Sequence, residues 1–168
     1  MRKMMTTIFI IGIILLLVAC STPSKENLNE PTTNLVTETP PEVFITIDGE
    51  RYSTLLGSYC WEKENEQTNE ATIECVDKAP PEVLLVDETP INVPTNVDGE
   101  LDIGSPTPPT DIEVTAFLDG EEIEVDRFNQ TISFPTENGS YYYVAWLTWE
   151  DDDEVASEAS YVFALEVE

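Results

Sequence analysis

Two stretches near the end of the chain, SYYYVAWLTW at residues 140–149 and SYVFALEV at 160–167, decide the fold. The first is a long run of aromatic and β-branched residues, the composition of a pleated, half-buried strand. The second places Tyr161, Phe163, Leu165 and Val167 at every other position, so one face of an extended chain collects them all. Asn138-Gly139 precedes the first run as a turn signal. An acidic segment separates the two, so they are expected to form a neighbouring strand pair.

Working outward, the same period recurs. Ile112, Val114, Ala116 and Leu118 share one face, with Glu113 and Thr115 opposite. TISF at 131–134 is a short strand that ends at Pro135. Nearer the start, Val43 to Ile47, then Asp48-Gly49, then Glu50 to Leu56 read as a hairpin. Asp-Gly supplies the two positive φ values of a type I′ turn. Asp98-Gly99 and Asp119-Gly120 carry the same turn signal, and Asn129-Gln130 reads as a turn rather than as part of a glycosylation sequon. PPEV occurs at 40–43 and 80–83, which proline-flanked strand starts explain without a repeat. No segment has a helical period with caps. Short strands punctuated by Gly and Pro predict an all-β sandwich.

From about Pro80 onward the chain resembles the immunoglobulin-like domains of bacterial surface proteins. The carriers are NGSYYYVAW at 138–146 and ASYVFALEV at 159–167, similar to the last two paired strands of such a sandwich. A tyrosine among Tyr141 to Tyr143 matches the tyrosine corner of that fold. The resemblance implies a fold and not an activity.

The N-terminus has the form of a secretory leader. Arg2 and Lys3 make a basic n-region, and Ile8 to Val18 make an apolar core. That core is shorter than the roughly 20 residues of a membrane span and fits the h-region of about 7–15 residues. Leu17-Val18-Ala19-Cys20 then resembles the lipobox of bacterial lipoproteins. The resemblance implies cleavage between Ala19 and Cys20 and a diacylglyceryl group on the Cys20 sulfur, two acyl chains being what stable anchoring requires. Residues 21–41, rich in Pro, Ser, Thr and Asn, cannot bury enough surface to fold and are expected to form a disordered tether, spanning roughly 25 Å as a coil.

With Cys20 lipidated, the other two of the three cysteines, Cys60 and Cys75, are the only pair left for an intramolecular disulfide, and an extracytoplasmic location permits one. They lie fifteen positions apart around a polar, acidic segment, and Trp61 is expected to pack over the bridge. Closing a loop of about 15 residues is worth roughly 3 kcal/mol in the chain-entropy account. A metal site would need more Cys or His nearby, and a redox pair is usually Cys-x-x-Cys. Lipobox, tether, GSYCW at 57–61, a second cysteine and the ASYVFALEV ending together resemble small lipoproteins of Bacillus-like bacteria, which supports location and architecture.

The expected organisation is therefore a signal peptide at 1–19, a lipidated cysteine and tether at 20–41, a disulfide-stapled β-hairpin segment at 42–79 and an immunoglobulin-like β-sandwich at 80–168. The sequence holds 7 Lys+Arg against 34 Asp+Glu, a net charge of −27, and no histidine. Leader cleavage removes two of the seven basic residues and none of the acidic ones. Such a surface repels nucleic-acid phosphates and anionic headgroups, and attracts cationic peptides, divalent ions and basic protein faces. The absence of histidine excludes Ser-His-Asp triads, Cys-His pairs and His-bearing zinc sites.

Tyr142, Trp146 and Trp149 form the candidate binding surface, a carbohydrate- or peptide-binding stripe. Alternation sends about half of any strand's side chains to the core, so core packing competes for them. The acidic segment WEDDDEVASE at 149–158 lacks the spacing of a calcium loop and reads as a solvated connection, so no metal and no cofactor are expected. The functional expectation is a non-enzymatic binding or accessory module anchored to the cell membrane on its extracytoplasmic face, with a basic or envelope protein as partner. A ligand-sensing subunit of a membrane protein and a small carboxylate-dependent envelope enzyme are the alternatives.

Overall fold

A computed structural model describes residues 37–65, 70–151 and 154–168. The described residues are almost entirely β and form two antiparallel-dominated sheets. The expected signal peptide at 1–19, the expected lipidation site Cys20 and the expected tether up to residue 36 lie outside them.

The first sheet begins with β1 (Val43–Ile47), whose Val43, Ile45 and Ile47 are buried while the residues between them are half-exposed. Asp48 (φ 50°) and Gly49 (φ 82°) form the expected tight turn into β2 (Glu50–Ser53). The strand does not run on to Leu56. At Thr54 the backbone N–H and the hydroxyl both donate to the Val43 carbonyl, and the chain crosses to the other sheet. β6 (Asp98–Ile103), β10 (Thr131–Ser133) and β9 (Arg127–Phe128) complete the order β2-β1-β6-β10-β9.

The second sheet is built on β11 (Gly139–Asp151) and β12 (Glu154–Val167), paired along their length with a register shift at Trp149/Glu150. On one side β11 pairs β7 (Asp111–Leu118), which turns through Asp119 (φ 53°) and Gly120 (φ 82°) into β8 (Glu121–Ile123). On the other side β12 pairs β3 (Leu55–Asn65), which pairs β4 (Glu70–Val76), and the short β5 (Ile91–Val93) runs parallel to the end of β12. Residues 42–79 therefore hydrogen-bond into both sheets, β1 along β6 and β3 along β12, and the ladders run across the boundary expected near Pro80.

The core lies between the sheets. β11 contributes Tyr141, Tyr143, Ala145, Leu147 and Trp149, and the first sheet contributes Ile45, Leu101 and Ile132 with Phe134 just beyond β10. Tyr143 stacks on Phe163 at 4.9 Å and meets Phe134 edge-on at 5.7 Å, a contact that bridges the layers. Each large side chain buried this way contributes roughly 1.5–3 kcal/mol. Tyr141 donates its hydroxyl to the Glu137 carbonyl at 2.9 Å, locking the entry to β11.

Two expected turns are not turns. Asp98-Gly99 lies inside β6, where Gly99 is buried because Phe134 and Ile45 occupy the space a side chain would need. Asn138-Gly139 has no positive φ, and the bend comes earlier, at 136–137. Asn129 (φ 54°) does turn the chain between β9 and β10. β12 also differs from a one-sided strand. Val162 and Ala164, on the face opposite Phe163 and Leu165, are buried under Leu85, which follows the single-turn α1 (Pro81–Leu84). Pro81 starts that turn where its missing N–H costs nothing.

Residues 37–41, expected to belong to the tether, are packed against the fold. The Thr37 carbonyl accepts from Trp61 Nε1, Pro41 is buried, and the Pro41 carbonyl accepts from the Tyr161 hydroxyl at 2.7 Å. Among the described residues no helix is long and apolar enough to cross a membrane.

Candidate functional site

Cys60 and Cys75 face each other directly across β3 and β4 and are joined by a disulfide, with Cα atoms 4.0 Å apart. Neighbouring residues of a strand point to opposite faces. Trp61 therefore does not cover the bridge. It points into the core, 3% exposed, and meets Trp149 edge-on at 5.0 Å. The disulfide lies on the outer face, where Cys75 is exposed.

β4 contributes nothing to the core. Glu70 to Cys75 are all exposed and Val76 is half-buried, and Ile73 is 60% exposed. What holds the strand is the ladder to β3, the disulfide, a Lys63–Glu74 ion pair and a Thr72 hydroxyl that donates to the Lys63 carbonyl. The Glu74 carboxylate keeps the Lys63 ammonium charged above the usual lysine range. Such an exposed pair adds little stability by itself.

The candidate trio Tyr142, Trp146 and Trp149 is not one surface. Trp149 belongs to the core, 8% exposed, with its Nε1 donating to the Thr107 carbonyl at 3.0 Å. It has the parity of Tyr141 and Leu147, whereas Tyr142 and Trp146 have the other. Tyr142 is half-buried against the Leu85, Val162 and Ala164 cluster, and Trp146 is half-exposed between Glu113 of β7 and Ser160 of β12. Two of the three share a face, and one of those is partly covered.

Among the residues whose burial is described, no acidic side chain is buried. Apart from the core tyrosines and tryptophans, the only buried polar side chains among the described residues are Ser157 and Ser160. A shallow cleft of about 450 Å³ lies where the β9–β10 turn faces residues 108–112, and Glu100, Asp111, Arg127 and Phe128 line it. Phe128 is 78% exposed there, and Arg127 donates to the nearby Asn129 carbonyl. Among the described residues no group of three or more Asp, Glu, Cys or His side chains is gathered as metal ligands, and Asp152 and Asp153 of the acidic segment fall outside them. Ala19 and Cys20 fall outside as well.

The titration shifts of the core tyrosines follow burial. The Tyr143 and Tyr161 phenols are pushed well above the ordinary tyrosine range by loss of solvent. Tyr161 has its bond to Pro41, whereas the Tyr143 hydroxyl is buried with no hydrogen-bond partner among the described residues.

The exposed edge of β4 was not singled out by the sequence. EATIECV alternates like a half-buried strand, and only the ladder order places it outside the sandwich core. No family model, curated protein or solved structure matches the chain.

Proposed function

We propose that the chain is a bacterial lipoprotein anchored through Cys20 to the extracytoplasmic face of the cell membrane, and that its folded part is a non-enzymatic binding or accessory module. The observation that carries this reading is the Cys60–Cys75 disulfide. It uses two of three cysteines, leaves Cys20 at the lipobox as the odd one, and suits an oxidising compartment. The surface location of the acidic groups favours binding over catalysis, which draws on buried carboxylates with displaced pKa values. Arg51 pairs with Asp102 at 2.8 Å and Lys63 with Glu74, so two of the seven basic residues are already engaged within the fold.

An immunoglobulin-like arrangement of residues 80–168 is part of the proposal. It is supported by β6-β10-β9 in one sheet and β12-β11-β7-β8 in the other, the B-E-D and G-F-C-C′ neighbourhoods of that fold. The Tyr141–Glu137 bond has the form of its tyrosine corner. The disulfide departs from the family, since it staples β3 to β4 and not the two sheets.

Expressing Cys20→Ala in a bacterial host and fractionating the cells tests the proposal. The variant is expected to keep its leader uncut or to leave the membrane fraction. A variant that is still processed and anchored overturns the reading.

A further inference from the structure

We propose that the outer edge of β4 is a strand-addition site that receives an extended, basic segment of a partner protein. This deepens the binding-module reading and rests on it. Among the described residues the strands paired on one side only are β2, β9, β8, β5 and β4, and β4 is the longest, at seven residues against four, two, three and three. A long unpaired edge is a ready template for another strand.

The direction of its backbone groups can be read from the ladder. Glu62 sits opposite Ile73, yet its N–H donates to Ser157 Oγ on the β12 side, 3.0 Å away. Ser58 likewise turns its carbonyl to Ser160 Oγ at 2.9 Å. Even-numbered residues of β3 thus point towards β12, and their partners on β4 form non-hydrogen-bonded pairs. The short 4.0 Å Cα separation of Cys60 and Cys75 agrees with that class of pair. The N–H and C=O groups of Ala71, Ile73 and Cys75 therefore point outward, away from β3.

A strand with no core residues has no burial to keep it ordered, so the disulfide serves to hold this edge extended. Order imposed in advance lowers what an incoming strand loses on binding. Charge selects the occupant. Glu70 is exposed on one face of the edge, next to Glu74 with its Lys63 partner, and Glu62 is half-exposed on the other, beside Ile73. A second copy of this acidic chain would set acid against acid, whereas a segment with Lys or Arg at alternate positions is complementary.

The test uses the full lipidated chain in nonionic detergent and two capped peptides of equal charge. Lys-Val-Lys-Thr-Lys-Val-Lys can form a strand, and Lys-Pro-Lys-Pro-Lys-Pro-Lys cannot. The first is expected to bind at least about tenfold more tightly and to slow amide exchange at Ala71, Ile73 and Cys75. Ile73→Pro removes one outward N–H without touching the bonds to β3, and it should abolish binding while the Cys60–Cys75 bond still maps by mass. Ile73→Ala, which keeps the N–H, should retain binding within about threefold. Equal binding of the two peptides, protection confined to another edge, or a chain that dimerises through β4 would each overturn the proposal. Absence of peptide binding in a chain that still fractionates through Cys20 overturns the edge site and leaves the anchored module standing. Loss of anchoring with peptide binding intact does the reverse.

Discussion

Replacing Tyr143 by phenylalanine should stabilise the protein, against the usual direction for a buried tyrosine. The ring of Tyr143 is fully buried, stacked on Phe163 and edge-on to Phe134, and phenylalanine keeps both contacts. Only the hydroxyl is lost, and that hydroxyl has no partner among the described residues. An unsatisfied buried polar group costs about 1–3 kcal/mol, so Tyr143→Phe should gain a comparable amount. Tyr161→Phe is the internal control. It removes the donor to Pro41 and leaves that carbonyl buried without its partner, and should lose about 1–3 kcal/mol. For a domain of this size each kcal/mol moves Tm by about 4 °C, so the two variants should melt on opposite sides of the parent. Urea midpoints and thermal melts of the three proteins give the comparison. A Tyr143→Phe variant that loses as much as Tyr161→Phe would refute the reasoning, because the hydroxyl would then be making a favourable interaction.

Alkaline pH should unfold the chain through the same two residues. Burial raises both phenols above their unfolded value near 10, so the unfolded state releases their protons first. Their contribution is complete below about pH 10 and falls above it, by up to about 1.4 kcal/mol per pH unit for each tyrosine. Urea midpoints at stepped pH check this, and a flat profile from pH 9 to 11 would contradict it. Gly99→Ala should cost about 1–3 kcal/mol by overpacking, because its Cβ would come 2.4 Å from Phe134 and 2.8 Å from Ile45. A neutral result in chemical denaturation would show that this corner of the core can relax.

Local periodicity made the long strands legible. SYYYVAWLTW and SYVFALEV each spend most of their length between neighbours in one sheet, so alternation and composition agree with the fold. The turns at Asp48-Gly49 and Asp119-Gly120 were legible because φ > 0 at both positions is a local demand. Asp98-Gly99 carries the same letters for a different reason, close approach of Phe134, which only the tertiary structure reveals. The crossing at Thr54 was hidden because it depends on the Val43 carbonyl, eleven residues away. Burial of Val162 and Ala164 depends on α1 folding over the outer face, and nothing within β12 announces that cover. Trp149 could have been assigned to the core from its odd parity with Tyr141 and Tyr143. As an aromatic it stood both as a binding-surface candidate and as a core residue.

Intact mass of the protein recovered from bacterial membranes tests the anchored-module account most directly. The expected species begins at Cys20, carries a diacylglyceryl group, and gains no alkylation at Cys60 or Cys75 until it is reduced. A chain that retains residues 1–19 without lipid, or one with two free thiols at Cys60 and Cys75, would contradict it.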